Sequence, residues 1–296
     1  MPEVYDGPVK LTVLLPAYNE AAAIPPVVAE VRAALAAWPD AWEILVVDDA
    51  STDGTVAAAR AAGVRVVERP VNGGSGASRK TGIHAAKGEW IAMLDADGTY
   101  VASHLPEMLS FLPAYDQVNG ARVVEAGTMK ALRVPAKWFI RKLAEWVSGH
   151  RIPDLNTGLK VFKRDVMKDY LWALPPGFSC VTSMTLSFLC NGHPVKYVPV
   201  GYRKRIGKSK FHPVKDTFRY GSTVLRLVMY FRPMRIFGPM ALLLALLAAG
   251  KGAYDFWCHS HHTLQESDLF LGLTAVMVFV LGLIADLIVA QARARR

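Results

Sequence analysis

The chain has 296 residues, with 34 Lys and Arg against 25 Asp and Glu, for a formal net charge of +9. Hydrophobic residues make up 52% and charged residues 20%, enough apolar material for one large core or two smaller ones. That excludes a disordered or collagen-like chain. Three scattered cysteines, Cys180, Cys190 and Cys258, form no Cys-x-x-Cys pair, which argues against a disulfide scaffold or zinc ribbon and for a reducing compartment.

In chain order, apolar β-rich runs at residues 9–15, 42–47, 64–67 and 90–94 alternate with helical patterns at 21–37, 55–62 and 75–86. A β-α-β-α series predicts an α/β fold, a mostly parallel sheet with helices on both faces. Ligands of such sheets bind at the carboxyl ends of the strands, and polar residues gather there. Pro16-Ala17-Tyr18-Asn19-Glu20 follows the first strand, Asp48-Asp49 the second and Asp95-Ala96-Asp97 the fourth. The stretch 72–81, NGGSGASRKT, fits neither a P-loop nor a dinucleotide fingerprint, because Arg79 stands where a glycine or small residue is required. It reads as a tight turn entering a helix.

Asp48 and Asp49 are placed to accept hydrogen bonds from a base or ribose, whereas Ser51 and Asp53 read as N-caps of the next helix. Asp95 and Asp97, separated by one residue at the end of a buried strand, offer hard oxygen ligands for Mg2+ or Mn2+. An ion there can bridge a nucleotide diphosphate and neutralise charge on the departing phosphate.

The basic excess belongs to the last third. Residues 1–200 balance at 20 basic and 20 acidic, and residues 201–296 hold 14 basic against 5 acidic, which is the whole +9. The same third contains two apolar stretches, residues 236–257 and 269–290, long enough to span a bilayer. Ten Lys and Arg lie between Pro199 and Ile236, and Arg293, Arg295 and Arg296 follow the second stretch. Lys251 is alone between them, so both ends are expected in the cytoplasm and the short loop outside. The start, MPEVYDGP, lacks a basic-then-apolar pattern, and no secretory signal is expected. Residues 135–150 and 214–231 combine aromatic or aliphatic faces with flanking basic residues, as interfacial helices do. The expected organisation is a cytoplasmic domain over 1–212, an amphipathic juxtamembrane region over 213–234 and a two-helix anchor over 235–296. The basic residues flank apolar spans rather than a soluble groove, which favours membrane lipids as partners and no nucleic acid. The histidines of Cys258-His259-Ser260-His261-His262 fall in the outside loop, far from the aspartates, and read as an exposed loop.

Pro16-x-x-Asn19-Glu20, Asp48-Asp49-x-Ser51-x-Asp53-Gly54-Thr55 and Asp95-Ala96-Asp97, in this order, resemble the inverting family 2 glycosyltransferases with the GT-A fold, over roughly residues 9–212. Downstream, residues 154–163 (DLNTGLKVFK) and 205–210 (RIGKSK) resemble the polyprenyl-phosphate sugar synthases, including dolichyl-phosphate mannose synthase. The resemblance implies transfer of a hexose, mannose or glucose, from GDP-mannose or UDP-glucose to a polyprenyl phosphate at the inner membrane. The acceptor phosphate is ionised near neutral pH, so catalysis rests on positioning and on stabilising the leaving diphosphate.

It further implies Asp95 and Asp97 at metal and diphosphate, and Arg122 facing a phosphate. Pro16, Tyr18, Glu20, Asp48, Asp49 and Ala96 line the nucleotide pocket, and Arg133, Arg205, Ser209 and Lys210 meet the acceptor phosphate. After the aspartates the chain continues Gly98-Thr99-Tyr100, unlike the mannose synthases, which leaves the sugar open. A processive polysaccharide synthase is disfavoured because no Gln-x-x-Arg-Trp occurs. A non-catalytic scaffold is disfavoured by the intact motifs. A homo-oligomer is left open.

Overall fold

The first strands are apolar on successive residues, not alternating ones, because both faces of their sheet are covered. A computed structural model describes residues 9–123, 130–177, 179–204, 222–223, 225–226, 228–258 and 265–294. The chain divides into two compact units, Met1–Val224 and Leu225–Arg296.

The first unit holds a seven-stranded sheet of β1 (Leu11–Ala17), β2 (Trp42–Asp48), β3 (Arg65–Glu68), β4 (Trp90–Met93), β5 (Gln117–Arg122), β6 (Lys160–Lys163) and β7 (Val195–Val200). Their spatial order is β3-β2-β1-β4-β6-β5-β7. All pairings are parallel except those of β6, which runs antiparallel to both β4 and β5. The helices of this unit are α1 (Ile24–Ala34), α2 (Thr55–Ala61), α3 (Ser75–Ala85), α4 (Leu105–Leu109), α5 (Lys130–Ser148), α6 (Arg164–Lys168) and α7 (Cys180–Cys190).

Alternate strand residues sort into two cores. Leu11, Val13 and Leu15 pack with Ile24, Val28 and Val31 of α1 and Leu105 and Met108 of α4. Leu14, Leu45 and Met93 face the other way, against Ile83 of α3 and Met184 and Phe188 of α7. Each fully buried aliphatic side chain contributes about 1.5–3 kcal/mol, so this two-sided burial is what holds the sheet.

Several boundaries differ from the sequence reading. Helix α1 begins at Ile24, not at residue 21, because Pro25 and Pro26 occupy its first turn, where a missing N–H costs nothing. β1 runs on through Pro16 to Ala17. The Leu14 carbonyl accepts from Leu94 N, so Pro16, two residues on, turns its missing N–H toward an edge where β4 has already ended. β5, β6, β7 and α7 were not read as elements, being short or buried on every side. Segment 135–150 is helical within α5 as far as Ser148, but its apolar residues split. Ile140, Ala144 and Val147 are buried, while Trp138 and Trp146 stand exposed.

The second unit contains α8 (Met234–Cys258) and α9 (Glu266–Ala294). Both are long and apolar enough to cross a membrane, over Met234–Trp257 and Glu266–Gln291. They run antiparallel: Lys251 Nζ of α8 meets Asp268 Oδ1 of α9 at 2.6 Å, and Gly282 of α9 lies against Phe237 of α8. Leu242, Leu246, Leu273, Val276 and Leu287 are exposed, an apolar surface of the kind a lipid phase covers.

Lys160 is fully buried, with its ammonium donating to Asn119 Oδ1 at 2.9 Å and Thr185 Oγ1 at 2.6 Å. Burial pushes its pKa down to about 7, against the attraction of Asp154 and with Arg79 adding repulsion. The unfolded chain therefore binds more protons than the folded one between pH 7 and the ordinary lysine value, and stability rises with pH across that window. The melting-temperature difference between Lys160→Met and wild type should accordingly be more favourable to the variant at about pH 6.5 than at about pH 9.5, by a few degrees. A difference that does not change with pH would contradict this charge penalty.

Candidate active site

Strand order reverses between β1 and β4, and the crevice outside their carboxyl ends is where open α/β sheets bind ligands. The loops after β1, β2 and β4 meet there, with that before β6, because β6 runs antiparallel to β4 and its first residue, Lys160, pairs with Met93.

The loops after β1 and β2 are stitched together. Asn19 N donates to Ser51 Oγ at 2.9 Å, Thr52 N to Asn19 Oδ1 at 2.8 Å and Glu20 N to Thr55 Oγ1 at 2.9 Å. Ala21 N reaches Asp53 Oδ2 at 3.3 Å, and Asp53 Oδ1 accepts from Thr55 N at 3.0 Å. Asp53 is not the N-cap, a place Gly54 takes, but from one residue earlier it accepts from the first helical N–H and ties α2 to the preceding loop. Ser51 does not cap α2; its hydroxyl joins the two loops. Asn19 and Ala50 adopt the left-handed region, at φ of 54° and 59°, a conformation costing of order 1–3 kcal/mol that concentrates at functional sites.

Asp48 and Asp49 are both buried but do different things. Asp48 Oδ2 accepts from Ser51 N at 2.9 Å, and its Oδ1 is buried with no hydrogen-bond partner among the described residues. Asp49 pairs with Arg69 through Oδ1, which also accepts from Gly73 N at 3.1 Å, while Oδ2 accepts from Gly74 N at 2.7 Å. The Gly-rich turn is therefore hung on Asp49. Its glycines serve close backbone approach: a Cβ at Gly76 would lie 2.2 Å from the Pro175 carbonyl oxygen.

Beyond β4, Asp97 is buried, and its Oδ1 accepts from Thr99 N at 3.0 Å and Thr99 Oγ1 at 2.6 Å, which sets the plane of the carboxylate. Ala96 is buried in the core cluster beside the strand end. Asp95 Oδ1 accepts from Arg79 Nη2 at 2.6 Å, and its other face presses on Gly158, where a Cβ would sit 2.4 Å from Asp95 Oδ2. Gly158 N in turn donates to the Tyr100 hydroxyl at 2.6 Å, and burial pushes the Tyr100 pKa up, so it stays a neutral phenol. Arg122 is locked in a two-pronged pair with Asp154, Nε to Oδ2 at 2.7 Å and Nη2 to Oδ1 at 2.9 Å, under the Tyr202 ring 5.3 Å away. Burial opposes the Asp154 charge, but the hydrogen bonds and charge of Arg122 outweigh it and hold the pKa below the usual range.

Pro16, Tyr18, Glu20, Asp48, Asp49, Asp95, Ala96, Asp97 and Arg122 are thus all carried by strand ends or the loops that follow them on this side of the sheet. Arg205, Ser209 and Lys210 lie outside the described residues, as do the loop histidines and residues 205–221, and the side chain of Arg133 is not among those described. The sequence reading missed Arg69, Arg79 and Asp154 as partners. The only signal for Arg79 was its refusal to fit a glycine pattern.

Among the described residues no three His, Cys, Asp or Glu side chains gather to hold a metal ion unaided. Asp95 and Asp97 do suit a hard cation whose remaining ligands are phosphate oxygens and water, the usual arrangement for Mg2+.

A family model described as Glycosyl transferase family 2 matches residues 12–171, more than half of the chain, and one described as GtrB C-terminal hairpin matches residues 232–290. The dolichyl-phosphate hexose transferase of Haloferax volcanii is 28% identical over 74% of this chain and 94% of its own. The dodecaprenyl-phosphate galacturonate synthase of Rhizobium johnstonii is 25% identical over 94% of this chain and 87% of its own. Glucosyl-3-phosphoglycerate synthase from Mycobacterium tuberculosis, solved with Mn2+, UDP and glucosyl-3-phosphoglycerate, superimposes with a TM-score of 0.57 at 20% identity, covering 75% of this chain and 79% of its own. The sheet is that of a GT-A glycosyltransferase, and the chain belongs to glycosyl transferase family 2.

Proposed function

We propose that this glycosyltransferase moves a hexose, mannose or glucose, from a nucleotide-diphosphate sugar to a polyprenyl phosphate, with inversion, at the cytoplasmic face of the inner membrane. The observation that carries the reading is the joining of a family 2 domain to an apolar helical pair that matches the GtrB hairpin. Relatives named for dolichyl- and dodecaprenyl-phosphate sugar transfer support it along most of the chain. We assign residues 1–212 to the catalytic domain, 213–234 to a juxtamembrane region and 235–296 to the anchor. Exposed Trp138 and Trp146, with exposed Lys142 between them, suit a headgroup layer.

In this reading Pro16, Tyr18, Glu20, Asp48 and Asp49 surround the nucleoside, with the buried Asp48 Oδ1 the acceptor available to a base N–H. Asp95 and Asp97 hold Mg2+ or Mn2+, which when bound neutralises the departing diphosphate. A neighbour of the same fold solved with Mn2+ and UDP supports the choice of a divalent ion. Arg122, kept in place by Asp154, faces a phosphate of the donor. Arg133, Arg205, Ser209 and Lys210 receive the acceptor phosphate, for which guanidinium, ammonium and hydroxyl groups are matched donors. An acceptor already anionic needs no strong base, so these residues align it with the sugar carbon and exclude water.

Purified protein supplied with undecaprenyl or dolichyl phosphate, Mg2+ or Mn2+ and a panel of labelled UDP- and GDP-sugars should form a lipid-linked sugar. If no pairing yields one, the reading fails. Asp97→Ala should lower transfer by roughly 10²–10³-fold with membrane insertion intact. Full activity would remove the metal site. A cysteine reporter replacing Ser260 should be labelled from outside the cell, and labelling only from the cytoplasm would overturn the orientation.

A further inference from the structure

The residues just past the metal motif are joined to those just past β7, and one aromatic ring sits at the join. Tyr202 forms an isolated antiparallel bridge with Tyr100. On either side of it, Arg203 N donates to the Thr99 carbonyl at 2.8 Å and Gly201 N to His104 Nε2 at 3.0 Å. Arg203 Nη1 also reaches Glu30 Oε1 of α1 at 2.6 Å. Thr99 is the residue whose N–H and hydroxyl set the Asp97 carboxylate. Tyr202 therefore hangs from the same stretch of backbone that orients the second aspartate. Its ring, not its hydroxyl, makes the contacts. The Tyr100 ring meets it in a T-shaped pair with centres 5.2 Å apart, and the Arg122 guanidinium carbon lies over it, 5.3 Å from the ring centre.

We infer that Tyr202 is a positioning residue for the transfer, its aromatic face fixing the tilt of the Arg122 guanidinium toward the donor phosphate. This role rests on the proposed transfer and adds to it a residue that the assigned motifs do not contain. Asp154 grips one edge of the guanidinium through Nε and Nη2. Two hydrogen bonds in the guanidinium plane fix that edge but resist tilting about it only weakly. A ring laid against the face supplies the missing constraint, and the quadrupole of that ring attracts the charge it restrains. Arg122 and Asp154 are 14% and 10% exposed, so the contact is largely sheltered from water, where a cation on an aromatic face is held most firmly. Negative charge on the diphosphate grows as the sugar leaves it. A guanidinium held at the right tilt therefore favours the transition state over the bound substrates, and its loss falls on kcat.

The test measures kcat and both KM values for purified full chain with its active pairing of nucleotide-sugar and polyprenyl phosphate, a thermal melt identifying folded variants. Tyr202→Leu keeps the backbone bridge and an apolar side chain but loses the face, and should lower kcat about tenfold with both KM values within about threefold. Tyr202→Phe returns the face without the hydroxyl and should recover kcat to within about threefold of wild type. Phenylalanines carrying increasing numbers of ring fluorines, introduced at position 202, keep the shape of the ring while draining its negative face, and kcat should fall step by step. A ring with a merely structural role leaves that series flat, so a flat series overturns the proposal even where Tyr202→Leu fails to fold. In an Arg122→Gln background the Tyr202→Leu effect should shrink to within about twofold, and an undiminished tenfold loss there overturns the route through Arg122. Wild-type kcat in folded Tyr202→Leu overturns the role while leaving the transfer standing. Wild type that transfers with no pairing overturns the transfer itself, and the role with it.

Discussion

Carboxylates gathered at one end of a sheet repel one another and resist burial, and this site exists because nearly every one has a cation or a row of N–H donors against it. Asp49 meets Arg69, Asp95 meets Arg79 and Asp154 meets Arg122. Each pair joins segments distant in sequence, so the pairs hold charge and architecture together. Asp49 anchors the Gly-rich turn, Asp95 ties the metal motif to α3, and Asp154 ties the loop before β6 to the end of β5. Removing one partner of such a pair costs more than the pair contributes, because the survivor is left as an uncompensated buried charge.

The reversed strand β6 is the second condition. A parallel strand in its place would start at the opposite end of the sheet, and Asp154 through Gly158 would not reach the site. Running antiparallel, β6 sets Gly158 against Asp95, Tyr100 against Gly158 and the buried Lys160 directly beneath, beside Asn119 and Thr185. Backbone approach this close admits no side chain at 158. The site is therefore rigid where it meets the metal motif, which suits a reaction that depends on alignment rather than on a strong base.

The net charge of +9 belongs to a different part of the problem. It is absent from the first 200 residues and concentrated around two helices whose outward faces are rows of leucine, valine and phenylalanine. Basic residues at the ends of apolar spans mark how a chain meets a membrane, and within the second unit Lys251 closes the hairpin's far end onto Asp255 and Asp268.

The first four strands, the helices between them, the two long apolar helices and the polar residues at the strand ends were legible from the chain alone. Each of those is local: a run of apolar residues, a turn signal, a motif of adjacent residues, a charge imbalance. Boundaries slipped where a proline acted at a turn of α1 or within β1. The late strands β5 to β7 and helix α7 escaped because four to six residues, or a fully buried run, carry no period. The pairings were out of reach for a deeper reason. Which aspartate faces Arg69 or Arg79, and that Ser51 joins two loops rather than capping a helix, depend on contacts between residues tens of positions apart. Strand order and the direction of β6 create those contacts, and chain topology has no local signature. Residue types announced the chemistry available, and packing chose which carboxylates were spent on holding the site together.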